Sequence, residues 1–125
     1  PGAAILIEGD SNYWFESGAT RHIVIEGNRF HQCAYVSAWG KAPIQVSPSA
    51  LVWEKDRRYH QYLEVRGNVF QCCDDRLVNA VNLKKLVFLD NKIERTTVFE
   101  PIKGQALELD RVLEVETDIN KEQQI

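Results

Sequence analysis

Ten residues near the start of the chain, "GDSNYWFESG" at 9–18, concentrate most of its chemistry. Asp10 and Glu16 supply carboxylates, Asn12 an amide, and Tyr13, Trp14 and Phe15 consecutive aromatic rings, all between two glycines. A site that grips a sugar needs this mixture: an aromatic ring packs on the apolar face of the sugar while carboxylates and amides bond its hydroxyls. Asp10, Asn12, Trp14 and Glu16 are therefore the candidate substrate-binding residues, and Asp10 and Glu16 the candidate catalytic carboxylates. A structural role competes for the same residues, with Trp14 and Phe15 covering the end or side of a core and Asp10 capping a turn.

Little else in the chain offers a reaction. His22, His31 and His60 have no triad partner at a recognisable spacing and are expected at the surface; Ser37, Ser47 and Ser49 lack the glycine frame of a nucleophile elbow. There is no glycine-rich phosphate loop and no metal-ligand series, so neither a cofactor nor a metal is expected. Cys33, Cys72 and Cys73 are odd in number and show no CxxC spacing, which points to reduced, buried thiols. A Cys33–Cys73 bridge stays open. The net charge of −3 arises from 15 basic and 18 acidic residues, and the basic ones form no long run, which points away from nucleic acid. No window approaches the roughly 20 apolar residues of a membrane span, and the N-terminus does not read as a signal peptide. The start at Pro1, running almost at once into "AAILIEG", suggests a segment excised from something longer.

The elements that must position these groups emerge from a repeat. "HIVIEGNRFHQC" at 22–33 returns as "YLEVRGNVFQCC" at 62–73 and, degraded, as "KLVFLDNKIERT" at 85–96. The copies align Ile23, Ile25, Asn28 and Phe30 with Leu63, Val65, Asn68 and Phe70, and with Leu86, Phe88, Asn91 and Ile93. "AAILIEGDS" at 3–11 carries the strand part of the pattern, and "VLEVETDI" at 112–119 is an imperfect further copy whose register the sequence leaves open. Apolar residues alternate within each copy, which is strand periodicity, and a Gly, Asp or Asn turn signal follows. Short strands recurring at an interval of roughly 23 residues predict an all-β fold, a right-handed parallel β-helix whose coils stack about 4.8 Å apart. Asn28, Asn68 and Asn91 would then form a ladder, each amide donating to one neighbouring coil and accepting from the other. Phe30, Phe70 and Ile93 would stack inside.

The chain is expected to form one solenoid segment over 1–125. The longer interval between Asn28 and Asn68 suggests an extra half-rung or more, with a loop at about 45–61 leaving the coil and carrying Trp53, Tyr59 and His60. The polar tail at about 117–125 would fray or cap. Open strand edges at either end call for a cover, either the rest of a longer β-helix or a second copy of the chain.

The run "ILIEGDSNYWFESGATRHIVIEGNRFHQC" resembles the C-terminal β-helix region of glycoside hydrolase family 110, the α-1,3-galactosidases of gut Bacteroides and related bacteria. There a strand ending in Gly-Asp leads to Trp-Phe-Glu-Ser-Gly and then to an Ile-x-Ile-x-x-Asn-x-Phe coil. The resemblance extends through "YLEVRGNVFQCCDDRLVNAVNLKKLVFLDNKI", about residues 3–95, and is most specific at Asp10 and Trp14 to Gly18. It implies an exo-acting, metal-independent, inverting hydrolase of terminal α-1,3-linked galactose, secreted or periplasmic. The family's acidic core includes an Asp-Asp followed by an Asn-Val-His type segment. Asp74-Asp75 is followed here by "RLVNAVNL", without histidine, so that role is not carried over and these two read as turn residues. The reacting pair is then incomplete in this chain, and inactivity in isolation is expected. Two other readings stand beside this one: a non-catalytic carbohydrate-binding or structural β-helix module, and a different carbohydrase sharing only the solenoid.

Overall fold

In the computed structural model, residues 3–9, 19–33, 42–48, 58–72, 75–97 and 103–119 are described, and all their regular structure is strand. β1 (Ile5–Ile7), β2 (Ile23–Glu26), β3 (Arg29–His31), β4 (Ile44–Val46), β5 (His60–Arg66), β6 (Val69–Cys72), β7 (Val78–Leu89), β8 (Lys92–Arg95) and β9 (Leu107–Thr117) follow in chain order. They form two sheets in which the strand pairs are parallel, one of six strands and one, β3–β6–β8, of three. Parallel pairing follows from the repeat: each copy runs the same way and lays the same residues against its neighbour.

Three tracks make up the stack. The first holds β1, β4, the start of β7 and the start of β9, with Ile5, Ile44, Val78 and Leu107 in register. The second holds β2, β5 and the remainders of β7 and β9; it aligns Ile23, Leu63, Leu86 and Val115, then Ile25, Val65, Phe88 and Thr117. The third is β3–β6–β8, aligning Phe30, Phe70 and Ile93. The fourth copy thereby acquires its register: Val115 opposes Leu86, and Thr117 opposes Phe88. Asn28 and Asn68 sit in adjacent coils, since β2 pairs directly with β5, so the longer interval contains no extra rung. It contains β4, a strand of the first track, together with the connections on either side. Gln45 and Val46 belong to β4, and His60 and Gln61 to β5, which narrows the connection between them to 47–59.

Inward residues of both sheets share one core that includes Ile25, Ile44, Val46, Leu63, Val65, Phe70, Leu83, Leu86 and Phe88. Phe30 stacks on Phe70 at a centroid distance of 4.8 Å, and Phe70 meets Phe88 across the two sheets at 5.8 Å. Leu109, Leu113 and Val115 on β9, like Leu6 and Val24 on β1 and β2, are exposed. Cys33 is a free thiol, half-buried, and burial raises its pKa. Cys73 lies outside the described residues.

Between the second and third tracks the chain turns at Gly27, Gly67 and Asp90, with φ of 69°, 65° and 56°, left-handed values that glycine accepts freely and Asp tolerates. The next residue each time is an asparagine. Asn68 Oδ1 accepts from the Asn28 backbone N–H at 2.8 Å and from Asn28 Nδ2 at 3.2 Å. Asn68 Nδ2 donates to the Ile25 carbonyl at 2.9 Å. Asn91 repeats this one coil on, with Oδ1 accepting from the Asn68 N–H and Nδ2 at 3.0 Å and Nδ2 donating to Val65 O at 2.9 Å. Each side chain therefore satisfies both a donor and an acceptor of the coil before it. Asn68 is 0% exposed. Replacing it by alanine orphans buried groups on two coils and is expected to cost about 2–4 kcal/mol, against about 1 kcal/mol for the exposed Asn28→Ala; urea unfolding of both variants measures the difference.

Candidate functional site

A second corner lies between the first and second tracks. In β7 and β9 the chain passes it on one residue, Asn82 (φ 60°) or Arg111 (φ 55°), which the register sets opposite each other. In the two preceding coils the same corner carries long connections, residues 8–22 between β1 and β2 and residues 47–59 between β4 and β5. Both therefore leave the stack at one place. Asp10, Asn12, Trp14 and Glu16, within the first connection, lie outside the described residues, as does Trp53 in the second. The structure describes the ends that hold them.

Those ends are tied together. Ser47 N–H donates to Ile7 O at 2.9 Å where the two connections depart. Where they return, Gln61 N–H donates to Thr20 O at 3.1 Å. Tyr59 N–H donates to Asn82 Oδ1 at 2.8 Å, and Arg58 Nε to Arg111 O at 2.6 Å, so the two one-residue corners anchor the second connection. The Tyr59 ring lies against Gly9: a Cβ built there would sit 2.5 Å from Tyr59 Cε1, and Gly9 has φ 149°.

Beneath them sits His60, 1% exposed. Its Nδ1 meets Thr20 N at 3.2 Å and Thr20 Oγ1 at 2.8 Å, and its ring is edge-on to Tyr59 at 4.9 Å. This corrects the expectation of a surface histidine. His60 is in register with the buried Leu83, which sets it on the inner side of the coil. Burial lowers its pKa, with a smaller opposing contribution from the Glu8 backbone. The sequence signal for this was available only as position, since His60 precedes the first apolar residue of its repeat copy by three.

A polar strip on the outer side of β5 was not singled out from the sequence, although Tyr62, Glu64 and Arg66 alternate as one face of a strand must. His22 stacks on Tyr62 with centroids 4.4 Å apart and planes 9° from parallel. Tyr62 donates its hydroxyl to Glu64 Oε1 at 2.5 Å, and Arg66 bonds Glu64 Oε2 and Asp90 Oδ2, each at 3.3 Å. The Tyr62 hydrogen bond, followed by Arg66, lowers the Glu64 pKa, and the same hydrogen bond raises that of Tyr62. Glu64 is thus an ionised acceptor and unsuited to donating a proton at neutral pH. Asp75 pairs with Arg95 and accepts from Gly104 N–H at 3.3 Å, a structural use of that carboxylate; Asp74 lies outside the described residues. Among the described residues no group of three or more His, Cys, Asp or Glu could hold a metal ion, and no helix is long and apolar enough to cross a membrane.

The closest approach at this corner is Gly9 to Tyr59. Gly9→Ala is expected to destabilise the chain by about 1–3 kcal/mol through overlap with the ring. In a Tyr59→Ala background the cost should fall by at least about 1 kcal/mol, and a thermal-unfolding double-mutant cycle reads that coupling.

No protein-family model matches the chain. Among curated proteins, it is 36% identical over 102 residues to an α-1,3-galactosidase A of Bacteroides fragilis, a match that covers 82% of this chain and 17% of that protein. An α-1,3-galactosidase B of Bacteroides thetaiotaomicron is 32% identical over 102 residues, covering 80% of this chain and 17% of that protein. One from Akkermansia muciniphila is 33% identical over 94 residues, covering 74% and 12%. The chain is thus similar, over about 80% of its length, to one stretch of the α-1,3-galactosidases, and spans about 17% of the length of the first two relatives named.

Proposed function

We propose that the chain is a segment of the right-handed parallel β-helix of a carbohydrate-active enzyme, an exo-acting, inverting α-1,3-galactosidase of the glycoside hydrolase family 110 type. The similarity to α-1,3-galactosidases over most of the chain carries this reading. The in-register parallel coils support the solenoid, and a crossover between parallel strands is right-handed in nearly all proteins. In this reading the connection holding Asp10, Asn12, Trp14 and Glu16 meets the terminal galactose: Trp14 packs on its apolar face and the polar groups bond its hydroxyls. The rigid stack holds both ends of that connection at one corner, which suits a site requiring fixed geometry.

An inverting hydrolase needs an acid and a base about 6.5–9.5 Å apart, with water between them. Asp10 and Glu16 are the carboxylates this chain offers toward that pair. Glu64, held ionised by Tyr62 and Arg66, is not proposed as the acid. Residues 1–125 alone are proposed to be inactive, with the remainder of the pair in neighbouring coils. Those coils would also cover the exposed Leu109, Leu113 and Val115 of β9. The longer enzyme would work outside the cytoplasm, in the periplasm or secreted, where it meets glycans bearing terminal galactose.

A second reading, a non-catalytic carbohydrate-binding module, is favoured by the outer strip, in which His22, Tyr62, Glu64 and Arg66 engage one another without a free acid. Binding of residues 1–125 to a glycan array, with no hydrolysis by the longer protein, would select it.

The test of the first reading is hydrolysis of an aryl α-galactoside by residues 1–125 and by the longer enzyme. The longer enzyme should turn over and the chain should not. In the longer enzyme, Asp10→Asn or Glu16→Gln should lower kcat about 100-fold, and Trp14→Ala should raise KM about tenfold. Turnover unchanged by both carboxylate substitutions would remove Asp10 and Glu16 from the site.

A further inference from the structure

The proposed sugar-binding connection leaves β1 through Glu8 and Gly9 and returns through Thr20, and one imidazole from the next coil meets that returning end. A backbone N–H can only donate, so the Thr20 N–H at 3.2 Å requires a lone pair on His60 Nδ1. The Thr20 hydroxyl stands 2.8 Å from the same nitrogen. The neutral ring must therefore carry its proton on Nε2. That nitrogen is buried and makes no hydrogen bond among the described residues. His60 thus grips the returning end through Nδ1. Tyr59, beside it, closes over Gly9.

We propose that His60 is a positioning residue: as a neutral Nε2–H imidazole it holds Thr20, the returning end of the 10–18 connection, and loosens that end when it takes up a proton. The substrate role of that connection rests on the function proposed above; the clasp itself does not. A proton on Nδ1 would face the Thr20 N–H, donor against donor, so the protonated ring cannot keep the bond. Among the described residues, Tyr59 is the titratable side chain whose ring meets the imidazole, and Glu8 acts on it through its backbone. No charged side chain among the described residues contributes to holding a proton there.

The sign follows from burial. The folded form disfavours the proton, so its pKa lies below the ordinary histidine value of 6.5. The contribution to stability is complete above that value and declines as pH falls below it toward the folded-state pKa, because the released form binds the proton more tightly. Acidification from about pH 7.5 to about pH 5 should therefore loosen the clasp.

The experiment is hydrogen exchange by mass spectrometry on the chain without sugar, comparing a peptide over 9–20 with a control peptide over β7. His60→Phe keeps an aromatic ring and removes both contacts to Thr20. It should speed exchange over 9–20 about tenfold while leaving the β7 peptide within about twofold. His60→Asn, whose Oδ1 stands in for Nδ1, should retain protection at Thr20. In the wild type, acidification should lower the protection factor over 9–20 as His60→Phe does, and in His60→Asn that pH dependence of the protection factor should vanish. Equal acceleration in both peptides, for His60→Phe and for His60→Asn alike, would make His60 an ordinary core residue and overturn the proposal. So would a protection factor over 9–20 that neither substitution nor pH changes. These readouts need no substrate, so failure of the galactosidase reading and failure of the clasp are separately visible. In the longer enzyme the clasp predicts a KM raised by His60→Phe more than kcat is lowered.

Discussion

A chain that turns sharply from a strand of one parallel sheet into a strand of the other leaves its own backbone unpaired: the amide just after the corner and the carbonyl before it point along the stack, away from ordinary strand pairing. Buried without partners, each such group would cost on the order of 1–3 kcal/mol. The asparagine side chain resolves this by reaching along the stack. Asn68 bonds the Asn28 amide and the Ile25 carbonyl, and Asn91 bonds the Asn68 amide and the Val65 carbonyl. Because the amide has one accepting and one donating end at a fixed separation, it also fixes the register between coils. A one-residue slip would break the bonds and turn Ile25, Val65 and Phe88 out of the core.

Register in turn decides what the other corner can do. Where the coil passes on a single left-handed residue, Asn82 or Arg111, nothing emerges; in the two coils before, long connections leave from the same place. Asn82 and Arg111 then bond the backbone and side chain of the second connection's returning end, at Tyr59 and Arg58. His60 and Tyr59 fasten the second connection to the first through Thr20 and Gly9. The stack thus supplies two adjoining connections with a common, buried root. That is a mechanical basis for holding the ends of the proposed sugar-binding connection steady.

Much of this frame was legible in the residues. The alternation of Ile23, Ile25 and their counterparts announced strands, and Asn28, Asn68 and Asn91 marked coil after coil. Harder to see was the first track. Its strand Ile44–Val46 is three residues long and lies between Pro43 and Ser47, so its composition reads as a loop and its neighbours supply the regularity. Thr117 hid the fourth copy's register by standing where Ile25, Val65 and Phe88 are apolar, although Val115, Thr117 and Asn120 keep the spacing in sequence. His60 was invisible as a core residue because a lone histidine carries no sign of its side of the strand until its partner, Leu83, is known. The residues proposed to touch substrate were picked out by chemical type alone, since stacked parallel strands leave their connections free to vary while the strands beneath stay regular.

Amide hydrogen exchange of Asn68 tests the ladder most directly. Its N–H follows a glycine corner, where an ordinary solvated turn would exchange almost as fast as an unfolded chain. Bonded to Asn91 Oδ1 inside the stack, it should instead exchange as slowly as the central amides of β5 and β7, and Asn91→Ala should abolish that protection. Rapid exchange in the unmodified chain, with β5 and β7 still protected, would mean that the coils are held in register by their strands alone and that the asparagine series is not what secures the stack.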